Sequence, residues 1–176
     1  MKLLKSLAVA AAMVALSGTA QAALVLQSNG LEVRDTNTNL IWLQNWNVNG
    51  SANWASQKNW AETTLDGFAG SNDWRLPEIS EYVALFTAYG NLAQVTQFTN
   101  VQPVFYWSGT EISPGILAWG FNPDFGFQLD DVQGSQLFAV AVRPGDVAAS
   151  VPEPQTLALA LLALGAMVVA RRRRPV

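Results

Sequence analysis

The run Gln44-Asn45-Trp46-Asn47-Val48-Asn49 sets one indole among amides, and Trp54 follows eight residues after Trp46. An indole face can stack on the apolar face of a pyranose while neighbouring amides bond its hydroxyls. Trp46, Asn47, Asn49 and Trp54 are therefore the candidate ligand-binding residues, and the ligand they suit is a glycan. The same indoles suit a second role, because seven Trp can fill a loop-rich core that has no disulfide. A separate set is acidic: Glu111, Asp124, Asp130 and Asp131. Calcium takes oxygen ligands, so Asp124, Asp130 and Asp131 are the candidate metal ligands, although their spacing matches no EF-hand loop. The adjacent Asp130-Asp131 also suits a turn cap. Two carboxylates could serve a glycosidase, but acids scattered along the chain single out no pair. The chain has no Cys and no His. Thiol nucleophiles, disulfides, His-ligated metals and Ser-His-Asp triads are excluded. The expectation is a protein that is not an enzyme, with no catalytic residue and no cofactor other than calcium.

Charge narrows the partners further. Residues 23–150 carry 4 basic side chains (Arg34, Lys58, Arg75, Arg143) and 12 acidic ones, a formal net of −8. Such a body repels phosphate backbones, so no nucleic-acid partner is expected. Half of the 176 residues are apolar, and without residues 1–22 and 151–176 the fraction falls to about 45%, an ordinary globular value.

The two ends hold the excess. Lys2 and Lys5, the apolar run Leu7 to Leu16, and Ala20-Gln21-Ala22 have the layout of a secretory signal peptide over residues 1–22, with the mature chain starting at Ala23. At the other end Val151-Pro152-Glu153-Pro154 precedes an apolar run from Thr156 to Ala170, and Arg171, Arg172, Arg173 and Arg174 follow. A helix of 15 residues spans about 22 Å, short of the ~30 Å hydrocarbon core, and snorkelling arginines with local thinning close the gap. The arginines keep the cytoplasmic side, which places the domain across the membrane.

Between the ends, one domain over residues 23–145 has to position the candidate site, with 146–150 as a short tether. Leu24 to Gln27, Leu31 to Arg34 and Leu40 to Gln44 have strand character. Ser51 can cap a helix from Ala52 to Leu65 that buries Trp54, Ala61 and Leu65 and exits at Asp66-Gly67. Pro77 can begin a second helix with Ile79, Tyr82, Val83 and Phe86 on its apolar face. Val104 to Ser108, Ile116 to Phe121, Phe125 to Leu129 and Gln136 to Arg143 are β-rich, with Asn122-Pro123-Asp124 as a hairpin turn. Asp73-Trp74-Arg75-Leu76-Pro77 has the character of a structural staple: Asp73 accepting backbone N–H bonds near the helix start, Trp74 and Leu76 in the core, and Arg75 paired with Glu111 or Asp130. The order of elements predicts an α+β fold, two helices packed on a mainly antiparallel sheet.

Two resemblances extend this reading. The C-terminal layout, Pro152-Glu153-Pro154 with a short span and the arginine cluster Arg171 to Arg174, resembles the PEP-CTERM sorting signal of bacterial proteins handled by an exosortase. That likeness implies export by the secretion machinery, transient anchoring in the inner membrane, exosortase processing near the tripeptide, and release to a cell surface or matrix rich in exopolysaccharide. Leu40-Ile41-Trp42-Leu43-Gln44, Asp73 to Pro77, Tyr106-Trp107-Ser108-Gly109-Thr110, Ala118-Trp119 and Ala141-Val142-Arg143 together resemble the Lcl C-terminal domain family over about residues 30–144. The resemblance implies a C-type lectin-like fold that pairs the terminal strands, flanks them with two helices and carries a loop-rich β region; with the amide-flanked indoles and the sorting signal, the expected partner is glycan or exopolysaccharide. It carries over no calcium-lectin tripeptide, and the formylglycine-generating enzymes, which share the Trp-Arg-Leu-Pro type of helix entry, work through cysteines absent here. The remaining alternatives are a carboxylate-dependent enzyme acting on extracellular polysaccharide and a structural matrix protein.

Overall fold

Short alternating strands with tight turns between them organise the first half of the domain. A computed structural model describes residues 23–145. The signal-peptide, tether, membrane-run and sorting-motif expectations lie outside the described residues. β1 (Leu24–Leu26), β2 (Glu32–Asp35), β3 (Leu40–Leu43) and β7 (Val142–Pro144) form one antiparallel sheet in that order. β4 (Tyr106–Ser113), β5 (Leu117–Phe121) and β6 (Gln128–Val132) form a second, also antiparallel. The α+β class is as expected. The terminal strands share a sheet but do not pair: β1 bonds β2, β7 bonds β3, and two strands lie between them.

Register aligns one end of the first sheet. Leu24 faces Asp35, Asp35 faces Leu40, and Leu40 faces Pro144. Strands lie about 4.8 Å apart, so the chain enters and leaves this sheet within about 14 Å on one edge row.

Helix α1 (Trp54–Asn59) runs into a π-helical turn (Trp60–Thr64). Its cap is Asn53, not Ser51: the Asn53 side chain accepts from Ser56 N, 2.9 Å away. Trp54, Ala61 and Leu65 are buried as the spacing predicts. Gly67, at φ 79°, makes the exit, a conformation that L side chains seldom adopt. Helix α2 (Ile79–Tyr89) starts two residues later than a Pro77 start would give. Glu78 caps it through a reciprocal capping box with Glu81, while the Pro77 carbonyl accepts from Gly109 N. Its buried face is Tyr82 and Leu85 with Phe86 partly covered, and Val83 turns outward.

The staple holds, with different partners. Trp74 and Leu76 are buried, and Arg75 exchanges two backbone hydrogen bonds of 2.9 Å with Val142, locking the segment onto β7. The Arg75 guanidinium grips Glu81 at 2.6 and 2.8 Å, not Glu111 or Asp130. That hydrogen bond raises the Arg75 pKa above its ordinary value. Asp73 is exposed and leaves the capping to Glu78, adding only its charge beside Arg75. A second pair, Arg143 Nε to Glu32 Oε1 at 2.9 Å, is almost fully buried and ties β7 to β2.

The core is aromatic. Trp42 and Trp46 stack at 6.0 Å, and Tyr82, Phe98 and Tyr106 close around Trp46 at ring distances of 6.1, 5.0 and 5.4 Å. Tyr82 stacks in turn on Phe121 at 5.1 Å, joining α2 to the second sheet.

Candidate ligand-binding site

The indole expected to meet a sugar is in the core. Trp46 has no exposed surface. Its backbone explains why. Asn45 makes an isolated parallel bridge to Thr99, and Trp46 N donates to Thr99 O at 2.9 Å, so the bend after β3 is pinned against the 98–100 segment. Trp46 then points inward while Asn47 points outward. Trp54 is also buried, its Nε1 donating to Ser108 O at 2.8 Å, with Lys58 Nζ 5.0 Å from the ring centroid. Neither indole is placed to stack on an external ring. Asn47 and Asn49 do reach the surface, but Asn49 is engaged with Gln57 Oε1 at 3.0 Å. Of the seven Trp, only Trp119 keeps partial exposure.

The acidic set does not converge. Asp130 and Asp131 are consecutive in β6, so they point to opposite faces of the strand instead of capping a turn. Asp124 bonds Asn91 in the β5–β6 turn. Among the described residues no three Asp, Glu, His or Cys side chains are grouped to share a cation.

A concave site lies elsewhere, on the edge row of the first sheet. An open pocket of about 410 Å³ is lined by Ala23, Leu24, Tyr89, Gln94, Val95, Thr96 and Gln97. Three elements build it. β1 supplies one wall. Helix α2 ends at Gly90, whose φ of 72° turns the chain, and Tyr89 sits in its last turn. The 3₁₀ turn Leu92–Gln94, capped by the Asn91 side chain on Ala93 N at 2.9 Å, carries Gln94 to Gln97 past the opening. The Tyr89 phenol donates to Asp35 Oδ1 at 2.7 Å. Burial and that bond push its pKa well above the ordinary phenol range, so it stays neutral with its ring fixed. Asp35 is itself buried and also accepts from Asn37 N and Thr38 Oγ1 at 3.0 and 2.6 Å. The lining thus offers amides (Gln94, Gln97), a hydroxyl (Thr96) and apolar walls (Leu24, Val95, the Tyr89 ring), and no carboxylate or cation from its side chains. These side chains offer hydrogen-bonding chemistry for a small neutral polyol, in a space of ligand size, and in a chain that starts at Ala23 the α-amino group adds one further donor at the wall.

Sequence reasoning missed this pocket because its walls come from residues more than sixty positions apart. The only local signal is the amide-rich Gln94-Val95-Thr96-Gln97 after a helix stop.

The same end of α2 carries a second exposed feature. Asn122 accepts from Asp124 N and Phe125 N at 2.9 and 3.1 Å, and Leu92 N donates to Pro123 O at 2.9 Å. The expected hairpin turn is present, but β6 starts at Gln128, so Phe125 and Phe127 belong to the turn and not to a strand. Both rings are about two-thirds exposed and stack on each other at 5.9 Å.

Compared with known protein families, residues 31–143 match the Lcl C-terminal domain and residues 150–174 match the PEP-CTERM protein-sorting motif. No curated protein matches the chain in sequence.

Proposed function

The chain belongs to the Lcl C-terminal domain family and carries a PEP-CTERM sorting motif, the mark of an exported, exosortase-processed protein; from this premise we propose that its domain binds neutral glycan or exopolysaccharide without catalysis, at the cell surface or in the extracellular matrix. The observation that carries the reading is the pocket of about 410 Å³ whose polar lining is Gln94, Thr96 and Gln97. Neutral amide and hydroxyl groups beside a fixed aromatic ring suit sugar hydroxyls and C–H faces. A two-carboxylate mechanism has no acid in that lining to work with. A C-type lectin-like fold agrees with terminal strands in one sheet, two helices and a loop-rich β half. Calcium is not needed by this site.

The test is a glycan screen of the chain as secreted, with and without calcium, beside a Gln94→Ala/Gln97→Ala variant. Both substituted side chains lie at the pocket opening and carry little of the core, so the melting temperature should hold. Calcium-independent binding of neutral glycans, weakened about tenfold or more by the double variant, is expected, since two hydrogen bonds near 1 kcal/mol each are lost. Binding that the variant leaves unchanged, or no binding by a folded chain, refutes the proposal.

A further inference from the structure

The Phe125–Phe127 turn is built to hold two phenyl rings in solvent. Five hydrogen bonds fix it: Asn122 Oδ1 with two backbone amides, Gly126 N to Asn122 O at 2.9 Å, Asn122 N to Phe127 O at 2.8 Å, and Leu92 N to Pro123 O at 2.9 Å. Gly126 is pressed on α2 at φ 74°, where a Cβ would lie 2.6 Å from Phe86 Cε1. The turn is therefore clamped, and the rings on either side of Gly126 stay exposed. Rigidly displayed apolar surface of this kind marks an interaction site.

Position along the fold says what it meets. Phe86, under the turn, is one helical turn before Tyr89, and Tyr89 bonds Asp35 on the edge row Leu24–Asp35–Leu40–Pro144. The aromatic turn thus shares a pole of the molecule with Pro144, where the chain leaves the last strand. Only ten residues, 146–155, separate Gly145 from the apolar run 156–170. Fully extended, they reach at most about 36 Å. The line leaves the domain at this pole and keeps it within about 36 Å of residue 156.

We propose that, before exosortase releases the chain, the Phe125–Phe127 pair rests in the interface of the bilayer that anchors residues 156–170. The proposal rests on reading 156–170 as membrane-embedded. Exposed Phe rings bury at the boundary between headgroups and acyl chains. The domain's acidic excess favours a neutral headgroup over an anionic one.

The chain has no Cys, so one introduced thiol labels uniquely. Gln128→Cys, beside Phe127, carries an environment-sensitive fluorophore. Ser28→Cys, in the β1–β2 turn at the end of the first sheet opposite the Leu24–Pro144 row, carries the control label. The full-length chain is reconstituted in phosphatidylcholine vesicles, and alkaline-carbonate extraction scores anchoring. The expected result is an anchored chain whose Gln128 probe brightens and shifts blue while the Ser28 probe does not. Phe125→Ser/Phe127→Ser should abolish the change, with anchoring and melting temperature intact. An anchored chain with a silent Gln128 probe overturns the proposal. Complete carbonate extraction overturns it through its premise. A probe that responds to a soluble neutral glucan oligosaccharide and not to vesicles assigns the turn to glycan and overturns it as well. None of these outcomes depends on Gln94 or Gln97, so failure here is separate from failure of the pocket.

Discussion

Replacing Trp46 with Ala should unfold the domain at moderate temperature and not merely blunt a binding surface. The indole is fully buried and faces four rings, Trp42, Tyr82, Phe98 and Tyr106, within 6.1 Å. Buried Trp-to-Ala changes cost about 3–5 kcal/mol, and aromatic pairs add to area burial, so the upper end applies, about 5 kcal/mol. The described domain has 123 residues. At that size unfolding entropy makes each kcal/mol worth about 4 °C, a fall of about 20 °C in Tm. A domain holds only about 5–15 kcal/mol in all, so the variant would be marginal. Trp46 Nε1 has no hydrogen-bond partner among the described residues. Trp46→Phe therefore sheds an unpaired buried donor along with volume and should cost clearly less than the Ala change. The assay is thermal unfolding followed by far- and near-ultraviolet circular dichroism, alongside glycan binding. A Trp46→Ala chain that melts within about 5 °C of the parent but loses ligand would refute the reasoning and return Trp46 to the surface.

Two further outcomes follow from buried polar groups. Glu32→Gln removes the carboxylate charge from a pair in which both side chains are almost fully buried, while its amide oxygen can still accept from Arg143 Nε; the expected loss is about 1.5–3 kcal/mol, and a Tm change below about 4 °C in calorimetry would contradict it. All three tyrosines have phenol pKa values raised above the ordinary value, Tyr106 to about 12, chiefly because burial disfavours the phenolate. The folded state keeps protons that the unfolded chain releases near pH 10. The stability they add is whole below that value and drains as pH rises through the folded-state values. Tyrosinate absorbance should therefore appear together with loss of circular dichroism; a tyrosine that ionises first, in a folded chain, would disprove it.

Much of the scaffold was legible because its signals are local. The Tyr82 and Phe86 spacing marked α2, and Trp74 and Leu76 flanking Arg75 marked two core anchors around a docked backbone. Capping was legible only in kind. Ser51 and Asn53 can both accept from a helix amide, and the choice depends on where Ala52 pairs with Leu137, a contact 85 positions away. Trp46 misled for the same reason. Its amide neighbours look like loop, but a bridge from Asn45 to Thr99, 54 positions away, pins that bend with the indole in the core. The pocket was illegible because Leu24 and Gln97 meet only through the end of α2. Phe125-Gly126-Phe127 held a readable hint, since a glycine between two aromatics after Asn-Pro-Asp belongs more to a turn than to a strand.

The placement of β7 also dictates when the domain can exist. A polypeptide threaded out of the cell N-terminus first cannot close the β3–β7 ladder, or join Arg143 to Glu32 across 111 positions, until residue 144 has emerged. Until then Trp74, which the Arg143 guanidinium covers at 5.6 Å, and the Arg75–Val142 bridge lack their partners. Closure of the first sheet thus waits on residue 144, six residues before the matched sorting motif at 150–174 begins. The lock on the domain and the address that follows it thus lie within one short stretch of sequence.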